Sequence, residues 1–205
     1  MSTFTKEYLA ETIEILSAID AATVDALADG LAGVRDGGGR LFIVGVGGSA
    51  GHAGHAVNDF RKMCGFEAYA PTDNVAELTA RANDEGWETT FSAWLEVSRL
   101  GPVDGLLVFS VGGGDADRNV SVNVVRALQL AKERDAATFG IVGRDGGFTA
   151  RVADVAVIIP PLVASRITPH TEGLCAVVWH LLVSHPALRK AATKWESVAA
   201  AEAPR

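Results

Sequence analysis

The chain has 205 residues and a mass of 21.4 kDa, which suits one doubly wound domain and would cramp two. Hydrophobic residues make up 48% of it, enough for a sizeable core, and this excludes a disordered chain. A net charge of −7 excludes the broad basic face of a nucleic-acid binder, while leaving room for a local basic pocket.

In chain order, residues Met1 to Lys6 show no charged segment followed by an apolar stretch, and no later apolar run approaches a membrane span. A cytoplasmic protein without membrane contact is expected. Residues 4–34 read as two helices, with Leu9, Ile13, Ile15, Leu16 and Ile19 at helical spacing and Asp20 or Thr23 available as a cap. Gly37 to Gly39 ends the second. Leu41 to Val44 is a fully apolar strand of the kind buried on both faces of a parallel sheet. A tight turn, Gly45-Val46-Gly47-Gly48-Ser49, leads into a helix over residues 50–63. A second strand, Leu106 to Phe109, runs into Ser110 and Gly112-Gly113-Gly114, with a helix over residues 122–134. Further strands are predicted at 138–142, ending in Gly143-Arg144-Asp145-Gly146-Gly147, and at 155–159, closed by Pro160-Pro161. A last apolar helix covers residues 172–184, and the tail from Val198 to Arg205 is expected to fray. Cys64 and Cys175 sit in apolar contexts and belong to no CxxC pair, so both read as reduced core thiols.

Strands alternating with helices predict an α/β fold: a doubly wound, flavodoxin-like parallel sheet flanked by helices, with an N-terminal helical extension. Ligands of such sheets bind beyond the carboxyl ends of the strands. The turns after Val44 and Phe109 are both rich in glycine and both open a helix. Such turns let the backbone approach an anion, and the helix N-terminus supplies free N–H groups and partial positive charge. The first turn lacks the Gly-Lys-Ser/Thr of a P-loop. Gly45, Gly47 and Ala50 fit the looser dinucleotide pattern, but no second strand ends in an acidic residue at the expected distance. A small phosphate ester ranks above a dinucleotide or ATP.

From about residue 5 to about residue 185 the chain resembles the sugar isomerase (SIS) domain family, and within it the phosphoheptose isomerases. Gly45-Val46-Gly47-Gly48-Ser49-Ala50 resembles the family's Gly-Asn-Gly-Gly-Ser turn. Thr72-Asp73 through Asn83-Asp84-Glu85-Gly86 resembles the segment ending in Gly-Asn-Asp-Tyr/Phe-Gly. Gly143 to Gly147 resembles Thr-Gly-Arg/Lys-Asp-Gly-Gly, and His180-Leu181-Leu182 resembles the end of a helix carrying a functional histidine. The resemblance implies one SIS domain over residues 1–205, with helices in 1–36 contributing to a homo-oligomer, and it implies a homotetramer. It further implies a divalent metal, zinc above all, held by His55, Asp59, Glu172 and His180, with Asp for the family's Glu and Glu for its Gln. It implies a phosphate and substrate site at Gly48, Ser49, Asn83, Asp84 and Ser110, to which Ser121 is added from a stretch inserted relative to the family.

The residues themselves permit part of this. His55 and Asp59 are i, i+4 and share a helix face, a suitable start for a divalent site; the plainer reading is a surface His–Asp contact, and His52 lies near the same face. Glu172 and His180 are eight residues apart, roughly 12 Å of straight helix. They reach one metal only if their side chains converge, the helix distorts, or one serves a neighbouring subunit. The phosphate loop departs from the family's Ser-Thr-Ser-Gly-Asn-Ser. It reads Ser110-Val111-Gly112-Gly113-Gly114-Asp115, with Arg118, Asn119 and Ser121 in an inserted stretch as replacement contacts.

The implied activity is aldose–ketose isomerisation of sedoheptulose 7-phosphate to D-glycero-D-manno-heptose 7-phosphate through an enediol, with Asp59 and His180 as acid/base groups. The alternative is a non-catalytic SIS protein that binds a sugar phosphate or a replication initiator.

Overall fold

The computed structural model describes residues 3–194 and 197–198, so the tail expected to fray lies outside the described residues beyond Val198. Two helices come first, α1 (Thr3–Ser17) and α2 (Ala21–Asp36). There follow β1 (Leu41–Val44), α3 (Gly48–Cys64), β2 (Ala68–Tyr69), α4 (Val75–Asp84) and α5 (Thr90–Val97). The second half holds β3 (Gly105–Ser110), α6 (Val122–Glu133), β4 (Ala137–Gly143), α7 (Gly147–Val152), β5 (Val155–Ile159) and α8 (Ile167–Ser184). The five strands are all parallel in the order β2-β1-β3-β4-β5, the flavodoxin-like order.

The apolar strands alternate between two cores. Leu41, Ile43, Leu107, Phe109, Phe139, Ile141, Val157 and Ile159 face α2, α3 and α8. Phe42, Val44, Leu106 and Val108 face α5 and α6 on the other side. The central strands β1, β3 and β4 are covered on both faces and read as nearly continuous hydrophobic runs, while the edge strands β2 and β5 leave Tyr69 and Ile158 exposed. At the amino end of the sheet Asp104 is buried and binds Arg40 through its main-chain N–H and its guanidinium, at 2.9 and 2.7 Å. No described helix is long and apolar enough to cross a membrane.

Asp20 is the α2 cap, accepting from the Ala22 N–H at 3.1 Å and from the Thr23 hydroxyl. In α1 the apolar residues do not form one buried stripe. Ile15 is buried, while Phe4, Leu9, Ile13 and Leu16 stay exposed. What ties α1 to the body is polar. Glu11 takes both nitrogens of a forked contact from Arg166, at 2.8 and 2.6 Å, and stands 3.0 Å from His170 Nε2. Tyr8 stacks on the buried His170 ring at 4.3 Å. The Arg166 hydrogen bonds, then His170, pull the Glu11 carboxyl from its ordinary 4.5 to about 2.

A carboxyl depressed by folding contributes stability that is present in full above its unfolded value and is lost as pH falls through the folded one. Glu11→Gln should therefore lower the melting temperature at neutral pH. Thermal melts of the two proteins should converge between pH 4.5 and about 2. A gap that stays constant over that window would mean that Glu11 does not anchor α1 electrostatically.

Candidate active site

The first glycine turn ends β1 and opens α3. Gly47, with φ of 62°, is the N-cap and makes no side-chain cap bond. Ser49 is thus not the cap that its position in the turn predicts. It is a buried residue of the first helical turn, and it lines a pocket of about 880 Å³ at the carboxyl ends of the strands. Ser110 and Ser121 line the same pocket.

The segment from Ser110 to Ser121 is tied by its own bonds. The Gly113 N–H donates to Ser110 Oγ at 3.0 Å, and Asp115 and Val120 exchange two main-chain bonds of 2.9 Å. Asp115 lines the pocket, but its Oδ1 accepts the N–H groups of Asp117 and Arg118, and Oδ2 lies 3.6 Å from Arg118 Nε. Much of its negative charge is therefore spent within the loop. The loop is seated on the next turn of the sheet: Gly113 O accepts the Thr149 N–H and hydroxyl at 2.9 and 2.7 Å, and Gly114 O accepts the Phe148 N–H at 2.8 Å. Gly113 has φ of 70°, and a Cβ there would lie 1.9 Å from Gly146 O.

This seating brings Arg144 and Arg151 to the pocket wall beside Arg118. Among the described residues neither Arg144 nor Arg151 forms an ion pair, so both guanidinium charges are available to an anion. Arg144 holds a left-handed φ of 55°, uncommon for a non-glycine residue and typical of positions held by their surroundings. Arg151 is a contact the sequence reading did not single out. It lies on α7, a short helix without a legible apolar period.

A second cluster forms where α3 packs on α8. Imidazole and carboxylate atoms of His55, Asp59 and His180 lie within 4.8 Å of one another. Asp59 Oδ2 is 3.6 Å from His55 Nε2 and 3.9 Å from His180 Nε2, while Oδ1 accepts from Asn58 Nδ2 at 2.8 Å. His180 Nδ1 stands 2.7 Å from the Ala176 carbonyl, which assigns the proton to Nδ1 and leaves the Nε2 lone pair facing Asp59. The His55 and His180 side chains are 56% and 51% exposed and Asp59 is 14% exposed, so the carboxylate is sheltered and the imidazoles open outward. Two imidazoles and a carboxylate fit zinc, which catalytic sites hold with three protein ligands and one open position. Burial pushes the Cys64 thiol up to about 11 and the Cys175 thiol up to about 12, so neither supplies a thiolate.

The remaining expected site residues lie elsewhere. Glu172 is not part of the trio; it sits two turns earlier on α8, and a Cβ on Gly48 would come 2.5 Å from its Oε1. α8 is α-helical through both Glu172 and His180, which keeps them eight residues of helical rise apart. Gly48 accordingly serves close helix approach and does not line the pocket. Asn83 and Asp84 end α4, exposed and bonded to each other at 2.7 Å, outside both the pocket and the trio of one chain. His52 also stands outside the trio.

No family model matches the chain. It is 34% identical over 191 residues to a phosphoheptose isomerase of Trichlorobacter lovleyi, covering 89% of this chain and 91% of that one. It is 35% identical over 159 residues to the lincomycin biosynthesis protein LmbN of Streptomyces lincolnensis, a match that covers 72% of this chain and 56% of LmbN. Among solved structures it matches the phosphoheptose isomerase GmhA of Neisseria gonorrhoeae with a TM-score of 0.75 and 26% identity, over 88% of this chain and 95% of that one.

Gly113→Ala should unseat the pocket loop from the β4 turn, because the new methyl meets a backbone carbonyl and the positive φ disfavours it. A loss of more than about 1 kcal/mol in chemical denaturation is expected. Unchanged stability would show that the two turns are not locked together.

Proposed function

The chain belongs to the phosphoheptose isomerase family, and on that premise we propose that it converts sedoheptulose 7-phosphate to D-glycero-D-manno-heptose 7-phosphate. The observation that carries this reading is the course of α3. The helix opens at the arginine-bearing pocket with Ser49. It then presents His55 and Asp59 about two and three turns later, beside His180. A phosphate held at one end of such a track leaves the carbonyl end of an extended sugar near the trio.

Isomerisation needs a proton removed from the carbon beside the carbonyl, leaving an enediol, and returned at the neighbouring carbon. Among the described residues Asp59 Oδ2 makes no hydrogen bond, and it is the atom suited to accept that proton. His180 Nε2, unprotonated in the neutral ring, moves a proton between the two sugar oxygens. His55, Asp59 and His180 would also hold a divalent cation, zinc by donor type, which would supply Lewis-acid polarisation of those oxygens; ligation uses the same Asp59 and His180 lone pairs, so each moves a proton only while its bond to the ion is open. Arg144 and Arg151 hold the phosphate by charge, with Ser49, Ser110 and Ser121 adding hydroxyls. The exposed apolar residues of α1 support assembly into a homo-oligomer, for which the family resemblance implies a tetramer.

Asp59→Asn and His180→Ala should fold normally yet lose deuterium exchange at the carbon beside the substrate carbonyl, each by about 10²–10⁴-fold. NMR of sedoheptulose 7-phosphate in heavy water reads this directly. Near-normal exchange in either folded variant removes that residue from the mechanism. No exchange in the wild type moves the protein to the non-catalytic sugar-phosphate-binding reading.

Arg144→Gln and Arg151→Gln should each raise KM for the phosphorylated ketose about tenfold, near 1.4 kcal/mol, with a smaller effect on kcat. Unchanged KM in both would place the phosphate elsewhere.

A further inference from the structure

Trp179 precedes His180 on α8 and is fully buried. Its indole stacks on the His180 ring, with centroids 3.5 Å apart and planes 27° apart. It also meets His55 edge-on at 4.7 Å and 70°. One side chain therefore touches both imidazoles of the trio.

The two histidines differ in what else orients them. His180 has the Ala176 carbonyl on Nδ1. His55 makes no hydrogen bond among the described residues, and its Nε2 lies 3.6 Å from Asp59 Oδ2. Metal-binding histidines ordinarily have the ring fixed by a hydrogen bond on the nitrogen that does not bind. For His55 that place is taken by an aromatic wall. The indole is retained at a cost, because its buried Nε1–H has no hydrogen-bond partner among the described residues. A phenylalanine or leucine would fill the core without the orphaned donor.

We propose that Trp179 is the positioning residue of the trio: its indole holds His55 and His180 in the relative orientation that lets them share a divalent cation with Asp59. The proposal rests on the reading of the trio as a metal site, and it concerns affinity for the ion rather than a chemical step.

The test is zinc affinity of the full chain, measured by competition with a chromophoric chelator, for the wild type, Trp179→Phe and Trp179→Leu. Circular dichroism and thermal melts check that each is folded. Trp179→Leu should bind zinc roughly 10–100-fold more weakly, the loss usual when support of a ligand is removed. Trp179→Phe keeps a ring against His180 and sheds the orphaned N–H, so it should fold at least as well and bind zinc with intermediate affinity. Its affinity decides the matter if the leucine variant does not fold. Wild-type affinity in a folded variant overturns the proposal, as does a wild type that binds no zinc. A wild type that binds zinc but shows no turnover leaves Trp179 in its role and removes the isomerase reading instead.

Discussion

The contact between α3 and α8 is the one on which the rest of the site depends. The buried face of α3 runs Ser49, Ala53, Ala56, Val57, Phe60 and Cys64, and small residues at its upstream end let α8 come close. Gly48 meets Glu172, the trio forms around Asp59 and His180, and the Cys64 thiol reaches the Val183 carbonyl at 3.6 Å. The pairs advance together along both helices, so the two run in the same direction. A side-chain enlargement on this face would separate the imidazoles before it disturbed the sheet, because packed helices respond to added volume by shifting as bodies.

The anion pocket solves a different electrostatic problem. Its loop carries an aspartate and keeps only one hydroxyl of the family pattern, that of Ser110, a poor start for binding phosphate. The fold offsets this twice. Asp115 is turned onto main-chain N–H groups and Arg118 within the loop, and the β4 turn brings Arg144 and Arg151 to the wall without carboxylate partners. Guanidinium groups with no ion-pair partner among the described residues keep their charge available to an incoming anion.

How much was legible in the sequence varied with how much each residue depended on its immediate neighbours. Strands β1, β3 and β4 were visible because a strand buried on both faces is a nearly uninterrupted apolar run, and the edge strand β5 because Val155 to Ile159 is apolar throughout and closed by two prolines. Strand β2 was not, since two residues carry no period and Ala68–Tyr69 is a strand only through pairing with β1. Helix α4 buries no residue, and α7 has six residues, so neither leaves a stripe to read. The apolar spacing of α1 marked the helix but not its anchor, because Glu11 is held by Arg166 and His170, about 155 residues further along the chain.

The sequence by itself determined the alternation of strands and helices, the glycine turns at the strand ends, and the pairing of His55 with Asp59 on one helix face. Each of these is local, set by the period of the element or the freedom of a glycine backbone. The tertiary structure alone decided that His180 completes the trio while Glu172, on the same helix, does not. It also decided that Arg151 faces the pocket and that Trp179 packs against both histidines from the core. These depend on where α8 and α7 land on α3 and β4. That placement follows from packing volumes across the whole core, which no stretch of chain a few residues long encodes.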